Sequence, residues 1–326
     1  MNGNNRYVLT IATGKKMYTD MAASLARSFL WWHPDTDIIF RIVTDNKESL
    51  PDDVLKWADI LSIKPGEFGL GFSTKLHLDK LVDEGQTLFI DSDCLIYGRL
   101  DRVFEKFKGH PVSVIGNYIA EGEWFGNVAD VCRQFNVRHL PKFNGGIYYL
   151  KKGEIATKVY ETARSLEKRY DEIGFVRLRN RPNDEVLMAL AMELNGQATI
   201  ADDGSILAEF VNFQSGIKSD LLNGIAELYN DPQKHTYQKN WHLTVGKPVI
   251  VHYLGHYNQV MPYIKEVKQL KYIFENKLNP SIARLLTFFR ITVFFGTASY
   301  FKKNLRPLYH LLFGTRKIKT SERVVG

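Results

Sequence analysis

Within the first hundred residues, short apolar runs take turns with stretches of helical spacing. Residues 7–12, 38–43, 60–63 and 87–90 each read as a buried strand, apolar and closed by turn formers. Between them, Thr19-Asp20 is placed to cap a helix that stops at Pro34. Residues 51–57 suit a short helix with proline in its first turn, and residues 73–82 space their leucines for another. Strands and helices alternating at this pitch point to a mainly parallel sheet with helices on both faces. Further on, residues 111–115, 146–150 and 248–253 read as strands, and 154–170 and 183–194 as helices. No internal repeat or low-complexity linker interrupts the chain, so one domain is expected over residues 1–260, with residues 261–326 as an extension.

Composition narrows the function classes. The 326 residues are 44% apolar and 24% charged, which excludes a disordered or fibrous chain. Two cysteines, Cys94 and Cys132, exclude a disulfide scaffold and a Cys-rich zinc module. No basic start followed by an apolar stretch marks a secretory signal, so a reducing, cytosolic setting is expected. Of the net charge of +7, residues 281–326 alone carry +8, from nine Lys/Arg and one Glu, which leaves the rest at −1. A near-neutral body with a basic tail argues against a whole-surface nucleic-acid binder.

The stretch richest in chemistry is residues 88–97, LFIDSDCLIY. An apolar strand runs into Asp91, with Asp93 two positions on. If the backbone stays extended there, both carboxylates project to one side, at the strand end where open α/β sheets bind ligands. Adjacent carboxylates repel unless a cation sits between them, and hard oxygen ligands favour Mg²⁺ or Mn²⁺ shared with a substrate phosphate. The plain alternative is a polar turn. His252, at the end of the apolar run VIVHYLG, offers an imidazole as a third ligand or as an ordinary strand-end histidine. In Phe143-Asn144-Gly145-Gly146, an amide beside two glycines permits close approach of a sugar or phosphate, or forms a tight turn. Asn183-Asp184-Glu185 opens a helix behind Pro182, where Asn183 is a capping residue and the two acids suit the helix dipole.

The order Asp-x-Asp, Phe-Asn-Gly-Gly, Asn-Asp-Glu and His-x-x-Gly resembles nucleotide-sugar glycosyltransferases of the GT-A fold. It is most similar to glycosyltransferase family 8, which includes glycogenin and bacterial lipopolysaccharide glycosyltransferases. The resemblance covers about residues 7–256. It implies an α/β GT-A fold, a mainly parallel sheet with flanking helices; the tail's own residue pattern adds basic amphipathic helices at the C-terminus. It implies transfer of a sugar from a nucleoside-diphosphate sugar, UDP-linked, with retention, to a saccharide or glycolipid acceptor in surface-polysaccharide synthesis. By the same resemblance Asp91, Asp93 and His252 hold Mn²⁺ (or Mg²⁺) against the donor diphosphate. Thr10, Ala12, Thr13 and Tyr18 cradle the nucleoside, Lys75 faces the donor phosphates or sugar, and Asn144 and Gly145 touch the sugar. Asp184 binds the transferred sugar, and Glu185 stands where the family has Gln, beside the anomeric carbon. Gly255 and His256 fall in the late phosphate motif, although His256-Tyr257-Asn258 replaces the family's lysine there. Glu185 leaves a nucleophile, a base and a binding group as open roles. The rival readings are a sugar-phosphate nucleotidyltransferase, whose Gly- and Arg-rich first loop Thr13-Gly14-Lys15-Lys16 lacks, and a non-catalytic sugar-nucleotide binder.

The tail has its own pattern. Residues 281–295 are apolar almost all round, broken by Arg284 and Arg290, and too short and charged to span a bilayer. Beyond them, Phe301, Leu305, Leu308, Tyr309 and Leu312 share one helical face, while Lys302, Lys303, Arg306 and His310 share another. That division suits a helix lying on an anionic membrane surface, here the cytosolic face. The alternative is a helix packed on a protein body with its basic face in solvent. Among lesser features, residues 121–125 are the acceptor-side candidate, Trp31, Trp32, Trp124 and Tyr148 read chiefly as core, and Asp202-Asp203 reads as a solvated turn.

Overall fold

The computed structural model describes residues 5–314; residues 1–4 and the end of the basic tail, 315–326, lie outside the described residues. Its contacts divide the chain into a large unit up to Leu254 and a second unit from Gly255.

In the large unit the strands are β1 (Arg6–Ala12), β2 (Ile38–Thr44), β3 (Asp59–Ser62), β4 (Gln86–Ile90), β5 (Cys94–Ile96), β6 (Val112–Ser113) and β7 (Gly116–Ile119). After these come β8 (Leu140–Phe143), β9 (Ile147–Lys151), β10 (Leu207–Glu209), β11 (Gly216–Asp220), β12 (Ile225–Tyr229), β13 (Val245–Gly246) and β14 (Ile250–His252). The helices are α1 (Lys16–Trp32), α2 (Asp52–Leu55), α3 (Leu78–Leu81), α4 (Asp101–Phe107), α5 (Val128–Phe135), α6 (Glu154–Glu167) and α7 (Asp184–Leu194).

Six strands form the main sheet, in the order β3-β2-β1-β4-β9-β6. The first four run parallel, β9 runs antiparallel to β4, and β6 antiparallel to β9. Alternate residues feed two separate cores. Val8, Leu88 and Ile90 pack with Leu25 and Phe29 of α1, Val54 of α2 and Phe104 of α4. Leu9 and Phe89 face the other way, onto Val131 of α5, Val159 of α6 and Leu187 of α7. Because both faces are covered, the central positions of these strands are mainly apolar, as the sequence pattern suggests. A smaller sheet, β10-β14-β5, takes the chain on after β4.

Three local expectations change. Helix α1 begins at Lys16, and Thr19 lies inside it, its hydroxyl donating to the Lys16 carbonyl at 2.7 Å. Gly14, at φ 83°, turns the chain sharply, and the Asp45 carboxylate holds its N–H at 3.0 Å, so the helix launches at once. Residues 73–82 do not form one helix: a 3₁₀ turn, Gly71–His77, carries Lys75 and leads into the single turn α3. Finally, Asp91 and Asp93 do not lie on extended backbone. The N–H of Cys94 bonds the Asp91 carbonyl at 3.0 Å, closing a turn that moves the chain from the main sheet to the small one.

The second unit begins with a 3₁₀ turn, Gly255–Gln259, followed by α8 (Tyr263–Phe274) and α9 (Pro280–Thr287). Asn279 caps α9 by accepting from the N–H of Ser281 at 2.9 Å, with Pro280 in the first turn. A π-helical stretch, Phe288–Val293, passes into α10 (Phe294–Phe313), which runs through Pro307. Among the described residues no helix is long and apolar enough to cross a membrane.

Candidate active site

The parallel strands β1, β2 and β4 all end at one edge of the main sheet, and β9, running the other way, begins there. Ile90 pairs with Ile147, and just beyond this pair the Asp91 N–H bonds the Gly146 carbonyl at 2.9 Å. The Asp91–Asp93 turn and the Asn144–Gly146 segment are thereby locked side by side. The small sheet brings a third group: β14 pairs with β5 so that His252 stands opposite Cys94. A further backbone bond, Tyr253 N–H to the Asp93 carbonyl at 3.0 Å, fixes the level of the imidazole.

Asn144 sets the tautomer of His252. Its Oδ1 accepts from the Gly146 N–H at 2.9 Å, which fixes which end of the amide is oxygen. The same Oδ1 lies 2.8 Å from His252 Nδ1, so Nδ1 carries a hydrogen and donates. Nε2 then points at Asp93 Oδ1, 3.0 Å away, with Asp91 Oδ2 at 3.9 Å. Two lone pairs at 3.0 Å need a proton or a metal cation between them. With a proton there, burial would lower the imidazole's pKa, but Asp93 outweighs it and the value is raised. The same partnership overcomes burial to hold the Asp93 carboxyl below its ordinary value. Oxygen and imidazole donors of this kind fit a divalent cation. Cys94 extends the group, since one ligand atom each from Asp93, Cys94 and His252 lie within 4.8 Å of one another. Burial, and next Asp93, push the Cys94 thiol well above its usual value, so it is uncharged here.

Asp91 is held from the other side by Lys75, whose Nζ donates to Oδ2 at 2.7 Å and to the Gly145 carbonyl at 2.8 Å. Lys75 also lies 3.7 Å from Asp184 Oδ2. Burial alone would lower the Lys75 pKa, but Asp184 and Asp91 raise it, so the ammonium stays charged. Burial nevertheless outweighs Lys75 at Asp91, whose carboxyl is raised.

Helix α7 supplies the remaining acids because Asn183 caps it, its Oδ1 accepting from the Glu185 N–H at 2.8 Å. Asp184, buried, accepts from the Tyr148 hydroxyl at 2.5 Å, and Glu185 Oε1 accepts from the Gly145 N–H at 2.8 Å. Burial first, and Asp184 next, push the Glu185 carboxyl up to about 8. The glycines are needed for closeness. A Cβ on Gly145 would sit 3.0 Å from Asp184 Oδ2, and one on Gly146 would sit 2.7 Å from His252 Nδ1.

Asp91, Asp93, His252, Lys75, Asn144, Gly145, Asp184 and Glu185 are thus drawn into one cluster. Thr13 and Tyr18 lie apart from its hydrogen-bond network, after β1, and both are accessible, whereas Thr10 and Ala12 are wholly buried in β1. Gly255 and His256 belong to the second unit, where the His256 and Tyr257 rings are 4.1 Å apart. Trp124 and Tyr148 are core residues, and Asp202 and Asp203 close a turn on the N–H groups of Gly204 and Ser205. The motif pattern does not single out Glu209. It ends β10 beside His252, buried, and burial pushes its carboxyl up to about 7 against the amide that Asn212 donates at 2.5 Å. The signal in the sequence is an acid closing the short apolar run at residues 206–208.

No family profile and no curated protein matches the chain in sequence. Solved structures do match in shape. The apo form of the glycosyltransferase GlyE of Streptococcus pneumoniae aligns at a TM-score of 0.51 and 14% identity, over 89% of this chain and 64% of that one. The chain therefore spans just under two thirds of the GlyE chain. The galactosyltransferase LgtC, solved with donor and acceptor sugar analogues, aligns at a TM-score of 0.49 and 13% identity, over 76% of this chain and 87% of that one. Mouse xyloside xylosyltransferase 1 aligns at a TM-score of 0.48 and 13% identity, over 79% and 99%. The likeness to GlyE shows a shared fold, the α/β GT-A arrangement expected from the sequence.

Proposed function

We propose that this chain is a metal-dependent glycosyltransferase of the family-8 kind. It moves a sugar from a nucleoside-diphosphate sugar, UDP-linked, to a saccharide or lipid-linked saccharide, with retention at the anomeric carbon. It works at the cytosolic face of a membrane, as part of surface-polysaccharide synthesis. The observation that carries the catalytic reading is the approach of His252 Nε2 to Asp93 Oδ1 at 3.0 Å, with Nδ1 already committed to Asn144. That is a prepared place for a cation at the ligand-binding edge of the sheet.

Asp93 and His252, with Asp91 beside them, are the residues that would hold Mn²⁺ or Mg²⁺, whose Lewis-acid charge would favour departure of the diphosphate. Lys75 adds a fixed positive charge beside Asp91. As the bond between sugar and phosphate breaks, the anomeric carbon gains positive charge; Asp184 places its carboxyl group to meet it, and Glu185 joins once the proton that burial makes it keep has left. Tyr148 and the Gly145 N–H hold these acids still, so little reorganisation is needed. Asn144 spends its oxygen on His252 and Gly146, which leaves its NH₂ to offer a sugar hydroxyl. Tyr18, exposed, presents its ring to the base, and Thr13 lies beside the nucleoside with the main chain of Thr10 and Ala12 behind it.

Thermal unfolding with UDP- and GDP-sugars, with and without Mn²⁺, tests the reading. A UDP-sugar should raise the melting temperature only with the metal present, and slow release of free sugar should follow without an acceptor. No shift with any sugar nucleotide overturns the donor site. A shift with no sugar released leaves a binding protein.

A further inference from the structure

In the second unit, the apolar stripe of α10 is open. Phe294, Phe301, Leu305, Leu308 and Leu312 lie within one arc of the helix, and each is between 52% and 65% exposed. Leu285, Phe288 and Phe289 upstream are also more than half exposed. Among the described residues of this stretch, the inner stripe Ala283, Thr287 and Ile291 is covered, in a region where α9 packs with α8. A helix stabilised by packing hides its apolar stripe; here it faces solvent, far beyond the scattered apolar residues of an ordinary surface. By sequence position Lys302, Lys303 and Arg306 fall on the arc next to it, which makes that arc cationic. Residues 281–326 carry nine basic residues against one acid.

We infer that α10 docks in the plane of an anionic lipid surface, with Phe301, Leu305, Leu308 and Leu312 sunk at the boundary of headgroups and acyl chains. Charge selects this occupant. A second copy would bring another strongly cationic segment against the first, whereas acidic headgroups neutralise it and the acyl region takes the apolar arc. Because no described helix can cross a bilayer, the chain lies on the surface. The inference rests on the membrane part of the proposed function and on none of its chemistry.

The test uses the full chain, sedimented with vesicles of phosphatidylcholine alone or mixed with phosphatidylglycerol. The wild type should pellet with the mixed vesicles and stay in solution with the neutral ones. Raising the ionic strength from about 0.1 M to about 1 M, which shortens the screening length from about 10 Å to about 3 Å, should weaken binding. The double variant Leu305→Glu/Leu308→Glu, at two exposed positions, should keep its far-ultraviolet circular dichroism and lose about tenfold or more in partitioning. Wild type that ignores acidic vesicles, or a double variant that binds them undiminished, overturns the inference. So does a dimer that the double variant dissolves while neither protein touches lipid. Vesicle binding without a donor-induced thermal shift keeps this inference and removes the catalytic one; the reverse result removes this one alone.

Discussion

Lys75 meets Asp91 at 2.7 Å while standing 3.7 Å from Asp184, so one ammonium ties the turn after β4 to the start of α7. Both partners come from separate segments, which the Gly145-Gly146 backbone also joins, through the Asp91 N–H on one side and the Glu185 carboxyl on the other. Lys75→Met should leave the buried Asp184 and the partly buried Asp91 without their counter-charge and lower stability by about 3 kcal/mol, as when one member of a buried pair is removed. Lys75→Arg should recover most of that loss. Urea unfolding of the three proteins checks it, and equal midpoints would refute it.

Gly146 has no positive φ, so alanine strains no backbone there, but its Cβ would lie 2.7 Å from His252 Nδ1 and 2.9 Å from Asn144 Oδ1. Gly146→Ala should displace the imidazole and weaken Mn²⁺ binding about tenfold or more. Circular dichroism should be unchanged. Calorimetric titration with Mn²⁺ reads the effect directly, and undiminished affinity would show that His252 is not a ligand.

Asp93→Ala should remove about a hundredfold or more of metal-dependent turnover and leave the fold intact. The assay is sugar release from the donor with and without Mn²⁺. Wild-type turnover in this variant would mean that the cation site lies elsewhere.

Glu185 gives a pH signature to the ligand-free protein. Its folded carboxyl is raised from 4.5 to about 8 by burial and by Asp184. Below the lower value both folded and unfolded chains hold the proton, and the contribution is fully present. Between the two the unfolded chain releases a proton that the fold keeps, so stability falls as pH rises and the contribution is lost by about 8. Melting temperature should therefore decline across this interval, and Glu185→Gln should flatten the decline. A variant with the wild-type slope would place the titration on another group.

The sheet was legible because its strands are covered on both faces and so are mainly apolar through their centres; β1, β2 and β4 fall within a residue of the stretches read for them. The start of α1 was not legible, because what decides it is the bond from Gly14 to Asp45, 31 positions away. Strand β5 has three residues and no flanking signal, and without it the Asp91–Asp93 segment reads as extended backbone when it is a turn. The motifs identified the groups that gather at the site, but their hydrogen-bond partners come from tertiary contact. No local pattern says that Asn144 orients His252, or that Tyr148 steadies Asp184. Glu209 escaped for the same reason, since only the β10–β14 register sets it beside the imidazole.

Strands β7 and β8 pair antiparallel, so closely that a Cβ on Gly116 would meet the Lys142 carbonyl at 2.3 Å, and β8 leads straight into Asn144. Everything between them, residues 120–139, leaves and re-enters through that clasp. Provided the inward residues Trp124, Val128, Val131 and Cys132 are kept, this excursion is an interchangeable cassette, rewritable without shifting the amide and two glycines downstream. A lineage built on such a chain can revise what it approaches while inheriting unchanged the apparatus with which it grips.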